Sequence, residues 1–177
     1  MAENNIDNRE VRQAFVEYDR NVTVSNFKVA CVLGMMLMPA GYILDKAMYP
    51  LMAWNFFKLR CLCSLLIAFF LSILLTPFGR ENYRFLGVTL FMLPASFIAW
   101  MIYATTGAQS PYYAGLNLVL LMLAFVLHWT FWESLTASGL VTALYIAACL
   151  FHGNITHDDK ANLVNNLYFL SLTAITL

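Results

Sequence analysis

The side chains able to do chemistry are few in this sequence, and most stand far apart. Two histidines, His128 and His152, are the natural candidates for the axial ligands of a haem, because imidazoles from two helices can hold one iron between them. They fall at opposite ends of successive apolar runs, ~25 Å or more apart at a rise of 1.5 Å per residue, which counts against that chemistry. His128 and Glu133 make a sharper pair. An imidazole near a carboxylate changes charge near neutral pH, so the two form a candidate pH-responsive element. The competing reading places His128 with Trp129 and Trp132 in an interfacial aromatic belt. Cys31, Cys61, Cys63 and Cys149 all lie in apolar runs. Cys61 and Cys63 point about 200° apart around a helix, so they do not share a metal, and all four read as small buried hydrophobes. No HExxH, GxSxG, phosphate loop or paired carboxylates occur. No catalytic residue, metal or cofactor is therefore expected.

Recognition chemistry is better supplied. Tyr49, Trp54, Trp100, Tyr103, Tyr112, Tyr113 and Asn117 fall near one face of the expected bundle. Aromatic rings with a few polar groups suit a small-molecule pocket, and these seven are the candidate ligand-binding residues. An aromatic belt with ordinary helix packing is the alternative.

The elements that must position these groups are membrane helices. Of 177 residues, 61% are hydrophobic and only 11% charged, far from the roughly one-quarter charged residues of soluble domains. The net charge of zero gives no basic field for nucleic acid. Continuous apolarity predicts an all-α, polytopic membrane bundle with six transmembrane helices, over about 27–44, 57–75, 85–104, 112–130, 134–151 and 163–177. The sixth run is truncated: its 15 residues extend roughly 22 Å, against the ~30 Å of a hydrocarbon core. The expectation is thus a module that belongs to something longer. Short loops should make sequential helices antiparallel neighbours.

Residues 1–26 read as a polar cytoplasmic segment preceding the membrane domain, 27–177. Within that segment, Val11, Ala14, Phe15 and Tyr18 keep helical spacing, which predicts a short amphipathic helix over 9–20 at the membrane surface. Basic residues favour a cytoplasmic N-terminus: Arg9, Arg12, Arg20, Lys28, Arg80 and Arg84 fall inside, against Lys46, Lys58, Arg60 and Lys160 outside. Lys28, Asp45, Lys58 and Arg60 lie near helix ends, where snorkelling is expected to satisfy them. No span carries a central Asp or Glu, which argues against proton-coupled transport. Pro39 and Pro94 interrupt helical hydrogen bonding and are expected to kink the first and third spans.

Several stretches resemble a known family. They are Leu44-Asp45 to Tyr49-Pro50, Thr76-Pro77-Phe78-Gly79-Arg80 with Tyr83-Arg84, Tyr112-Tyr113-Ala114-Gly115-Leu116-Asn117, and Asn165-Asn166-Leu167-Tyr168-Phe169. Together they resemble the six-helix N-terminal membrane sensor module of bacterial class III adenylate or guanylate cyclases and sensor histidine kinases. The resemblance implies an inner-membrane location, a cytoplasmic N-terminus, a homodimer and a cytoplasmic output domain after the sixth helix.

The expected function follows: a membrane anchor and sensory input module, itself not an enzyme, whose partners are the lipid bilayer, a second copy and a small-molecule or lipid-derived ligand. Asn165 and Asn166 are the candidate transmission residues, since amides at the start of the sixth helix can bond to neighbours and sense their movement. The alternative is a small stand-alone transporter or channel.

Overall fold

Residues 2–26 contain neither glycine nor proline, so nothing in them stops a helix that has started. The computed structural model describes residues 2–126, 131–153 and 157–175. It carries one continuous helix, α1, over Ala2–Ala40. The short helix expected over 9–20 is therefore the first part of a 39-residue element, with Val11, Phe15 and Tyr18 exposed along it. Pro39 sits one residue from its end. A proline there leaves the carbonyl of residue 35 without its i+4 donor, and the Ser64 hydroxyl donates to that Met35 carbonyl at 3.2 Å.

After Gly41 the chain turns through a short helix, α2, Tyr42–Met48. Then come α3, Ala53–Leu74, and a one-turn α4, Pro77–Glu81. Thr76 accepts a hydrogen bond from the Gly79 amide at 3.3 Å with Pro77 in the first turn, so α4 starts with a standard cap. α5 spans Tyr83–Ala104, and a 3-10 turn, Gly107–Gln109, leads into α6, Tyr113–Val126. α7 covers Phe131–His152 and α8 covers His157–Ile175. α8 starts six residues before the expected sixth span, and Asp158 and Asp159 in its first turn favour the positive end of the helix dipole.

Among the described residues every regular element is helical. Four stretches are long and apolar enough to cross a membrane: Glu10–Met48, Ala53–Leu74, Tyr83–Ala104 and Trp132–His152. Tyr113–Ala124 in α6 is apolar but shorter. Hydroxyls in these helices bond back to their own backbone, Ser72 to Ala68, Thr89 to Phe85 and Ser96 to Met92. That arrangement leaves no unmet donor facing lipid from these side chains.

α5 is the centre of the bundle. It packs against α1, α3, α6 and α7, while α1 packs chiefly on α3. Its inward face buries Leu90, Phe91, Ala95, Ile98, Met101 and Ile102. The α5–α7 contact is not between sequential spans, so the order of helices around the core departs from a plain up-and-down ring. α8 closes one side, against the 3-10 turn, α6 and α7.

Candidate functional site

Arg60 lies seven residues into α3, two helical turns from its start. Its side chain does not reach water. Only 7% of Arg60 is exposed, and Asp45, in the first turn of α2, has no exposed surface at all. Their expected snorkelling is thus corrected: the two charges meet each other inside the protein. Arg60 Nε donates to Asp45 Oδ2 at 2.7 Å and Nη2 donates to Oδ1 at 2.8 Å. This fork matches planar guanidinium to planar carboxylate and makes the strongest class of side-chain hydrogen bond. Arg60 Nη1 also donates to the Met38 carbonyl at 3.3 Å, in the last turn of α1. Gly41 makes that approach possible, because a Cβ there would overlap the guanidinium.

Tyr112 completes the cluster from the opposite wall. Its hydroxyl donates to Asp45 Oδ1 at 2.8 Å, and its ring lies 5.9 Å from Arg60 Cζ. Phe56 meets that ring edge-on at 5.8 Å, and Tyr49 packs on it at 5.7 Å. Tyr49 in turn shares a hydrogen bond with Thr106 at 2.9 Å. Three connections, α1–α2, α2–α3 and α5–α6, are therefore joined at one end of the bundle.

Below this cluster opens a cavity of about 370 Å³, bounded mainly by α1, α5 and α6. Gly34 and Leu37 of α1, Pro94 and Ile98 of α5, and Gly115 and Leu118 of α6 are among its wall residues, with Arg60 and Tyr112 at its polar end. Gly34 and Gly115 add no side-chain volume to this space, and Pro94 lies inside α5 facing it, so a void is left between the three helices. Its size falls within the usual range of ligand pockets, about 300–1,000 Å³.

The seven aromatic and amide candidates do not form one pocket. Tyr112 lines the cavity and Tyr49 supports it. Trp54 is exposed, stacked on Phe57 at 5.7 Å with Lys58 over its ring. Trp100 and Tyr103 form a separate exposed pair, 5.6 Å apart. The Tyr103 carbonyl bonds to His152 Nδ1 at 2.8 Å, so that imidazole ties α5 to α7. Tyr113 packs on the core from outside the cavity wall. Asn117 faces α8, accepting from Thr173 Oγ1 at 3.1 Å.

Of the two candidate transmission residues, Asn166 is buried and crosses between helices. Its Nδ2 donates to the Ala108 carbonyl at 3.0 Å and to the Tyr145 hydroxyl at 2.9 Å. Asn165 lies on the exposed side, and its amide donates to Asn166 Oδ1 at 3.5 Å. Glu133 accepts from Arg84 Nη1 at 3.4 Å across α5 and α7. His128 lies outside the described residues, as does Trp129. Among the described residues no three His, Cys, Asp or Glu side chains converge.

Asp45 and Arg60 are what sequence reasoning overlooked. The usable signal was two opposite charges, fifteen residues apart, each inside an apolar run beside the same short connection. In lipid such charges are more stable paired than separate.

No curated protein matches the chain, and no solved structure does. The MASE8 family model matches residues 43–177, from just before Asp45 through Arg60, Tyr112 and Asn166. That match covers well over half of the sequence, so the chain belongs to MASE8, a family of membrane-associated sensor domains.

Proposed function

We propose that this domain is the membrane anchor and sensory input module of a bacterial signalling protein. It sits in the inner membrane with six spans and a cytoplasmic N-terminus, α6 and α8 completing the set. It acts as a homodimer and passes a stimulus through α8 to a cytoplasmic adenylate or guanylate cyclase or histidine kinase domain.

The observation that carries this reading is the position of the cavity relative to α8. A molecule in it contacts α1, α5 and α6. Asn117, the α6 residue bonded to α8, stands about 200° around the helix from the wall residue Gly115 at 100° per residue. One helix thus has the stimulus on one face and the transmitting element on the other. A ligand moves the equilibrium only by binding one packing of α6 more tightly than another.

The test places residues 1–177 ahead of a class III cyclase domain in a cyclase-deficient bacterium and measures cyclic AMP. Fractionated apolar extracts should change output several-fold in this fusion. They should leave unchanged the Ala114→Phe fusion, whose added ring occupies the cavity. Equal responses in both overturn the reading. Solute flux through liposomes containing the chain, with no effect on output, would favour the stand-alone transporter.

A further inference from the structure

We propose that the cavity takes one uncharged, elongated apolar molecule whose head is a carbonyl acceptor, an ester or a ketone, hydrogen-bonded to the Arg60 guanidinium. This rests on the sensor function proposed above and names the ligand class of the same site.

The polar end sets the head group. A guanidinium has five N–H donors. Arg60 directs Nε and one N–H of Nη2 at Asp45, and one N–H of Nη1 at the Met38 carbonyl. One N–H on each Nη is left with no acceptor among the described residues. Among the described residues Arg60 is the only charged one on the cavity wall. The head that meets those donors must therefore bring an acceptor.

Charge then selects among acceptors. Asp45 already neutralises Arg60. An anionic head would leave a net negative charge in a low-dielectric site, and a cationic head would face a guanidinium already matched to its carboxylate. A neutral carbonyl satisfies the free donors and adds no charge.

The walls set the rest. On α1 the lining runs from Ala30 to Ala40, ten residues apart, or about 15 Å along the helix. Beyond Arg60 and Tyr112 the lining side chains are apolar. Leu37, Leu44 and Leu118 at the rim are also exposed on the outer surface of the bundle. In a membrane-spanning region that surface meets hydrocarbon, so access is sideways from the bilayer. The occupant is a single-chain molecule dissolved there, exchanging freely, and not a structural phospholipid.

The experiment uses the 177-residue chain in nanodiscs of ether-linked phospholipid, which supply no ester carbonyl, and tritiated methyl laurate as probe. Saturable binding of one probe per chain is expected. Unlabelled methyl laurate should compete at least tenfold better than dodecane or dodecanesulfonate at equal mole fraction in the bilayer. Arg60→Lys should weaken binding at least tenfold by removing the Nη donors left for the carbonyl. Ala114→Phe, which keeps both charges of the ion pair, should abolish it and covers the case in which the Arg60 variant does not fold.

Equal competition by dodecane, tighter competition by dodecanesulfonate, absence of saturable binding, or unchanged binding in Ala114→Phe each overturns the proposal. Loss of probe binding in ester-linked phospholipid assigns the site to the bilayer lipid and overturns the single-chain occupant. Probe binding without a change in cyclic AMP from the cyclase fusion upholds the site and removes the sensor function. A cyclic AMP response to other compounds, with no methyl laurate binding, removes this ligand class and leaves the sensor standing.

Discussion

Two buried polar clusters hold the same end of the bundle, and they are built from different chemistry. Around Asp45, Arg60 and Tyr112, opposite full charges meet in a forked pair that joins α2 and α3, and Tyr112 ties it to the turn before α6. Along the packed face of α8 the contacts are neutral, Asn166 with Ala108 and Tyr145, and Asn117 with Thr173, while at its exposed start the Asp159 carboxylate accepts from Gln109 Nε2 at 2.8 Å. Removing one partner of a buried ion pair strands a charge and costs about 3–5 kcal/mol. Neutral hydrogen bonds between membrane helices average only ~0.6 kcal/mol and reach ~1.7. The first cluster is a fixed frame around the cavity mouth. The second is weak enough to break and re-form within the range of a ligand's differential affinity, which suits an element that has to move.

The contrast can be broken hardest at the ion pair. Asp45→Ala should destabilise the bundle by about 3–5 kcal/mol, read by reversible unfolding in mixed micelles. The apolar double replacement Asp45→Leu with Arg60→Met should recover much of that loss, because it leaves no stranded charge. A double variant as unstable as the sum of its singles would show that the charges do not act as a pair. Tyr112→Phe removes one hydrogen bond to the carboxylate, and a loss of about 1.5–3 kcal/mol is expected for a bond to a charged group. The same unfolding assay checks it.

Asn166→Ala sharpens the other side. Its two bonds, at ~0.6 kcal/mol each, make a loss of about 1.2 kcal/mol expected, yet basal cyclic AMP from the cyclase fusion should change more than it does in Tyr112→Phe. A larger stability loss for Asn166→Ala than for Tyr112→Phe would reverse the assignment of frame and moving part. The smallest effect belongs to the surface. Arg84→Gln breaks the 3.4 Å pair with Glu133, whose side chains are 61% and 28% exposed. A loss of under about 1 kcal/mol is expected, diminishing further in high salt.

Much of the architecture was legible because lipid imposes a simple rule on sequence: backbone groups must be satisfied within a helix, and side chains facing hydrocarbon must be apolar. Runs such as 57–75 and 85–104 correspond closely to α3 and α5. The start of α1 was harder, since residues 2–26 are polar and helical at once. Hydropathy marks where a helix can enter lipid, not where it begins. The site was legible only in pieces. Tyr112 and Tyr49 belong to the cavity end, whereas Trp54, Trp100 and Tyr103 stack elsewhere on exposed surface and do not share its wall. Sequence position gives depth in a bundle. It does not give rotation about each helix axis, and rotation is what brings side chains together.

From sequence alone came the helical class, the apolar spans, the prolines at positions 39 and 94, and the short supply of charge. These are local properties, set by backbone hydrogen bonding and transfer of side chains out of water. Tertiary structure decided that α5 is central, that Pro94 and Gly115 flank a cavity, and that Asp45 and Arg60 neutralise each other rather than snorkel apart. Each of these depends on the approach of residues fifteen or more positions apart. Such approaches arise from packing of whole helix faces, and no window along a single helix contains them.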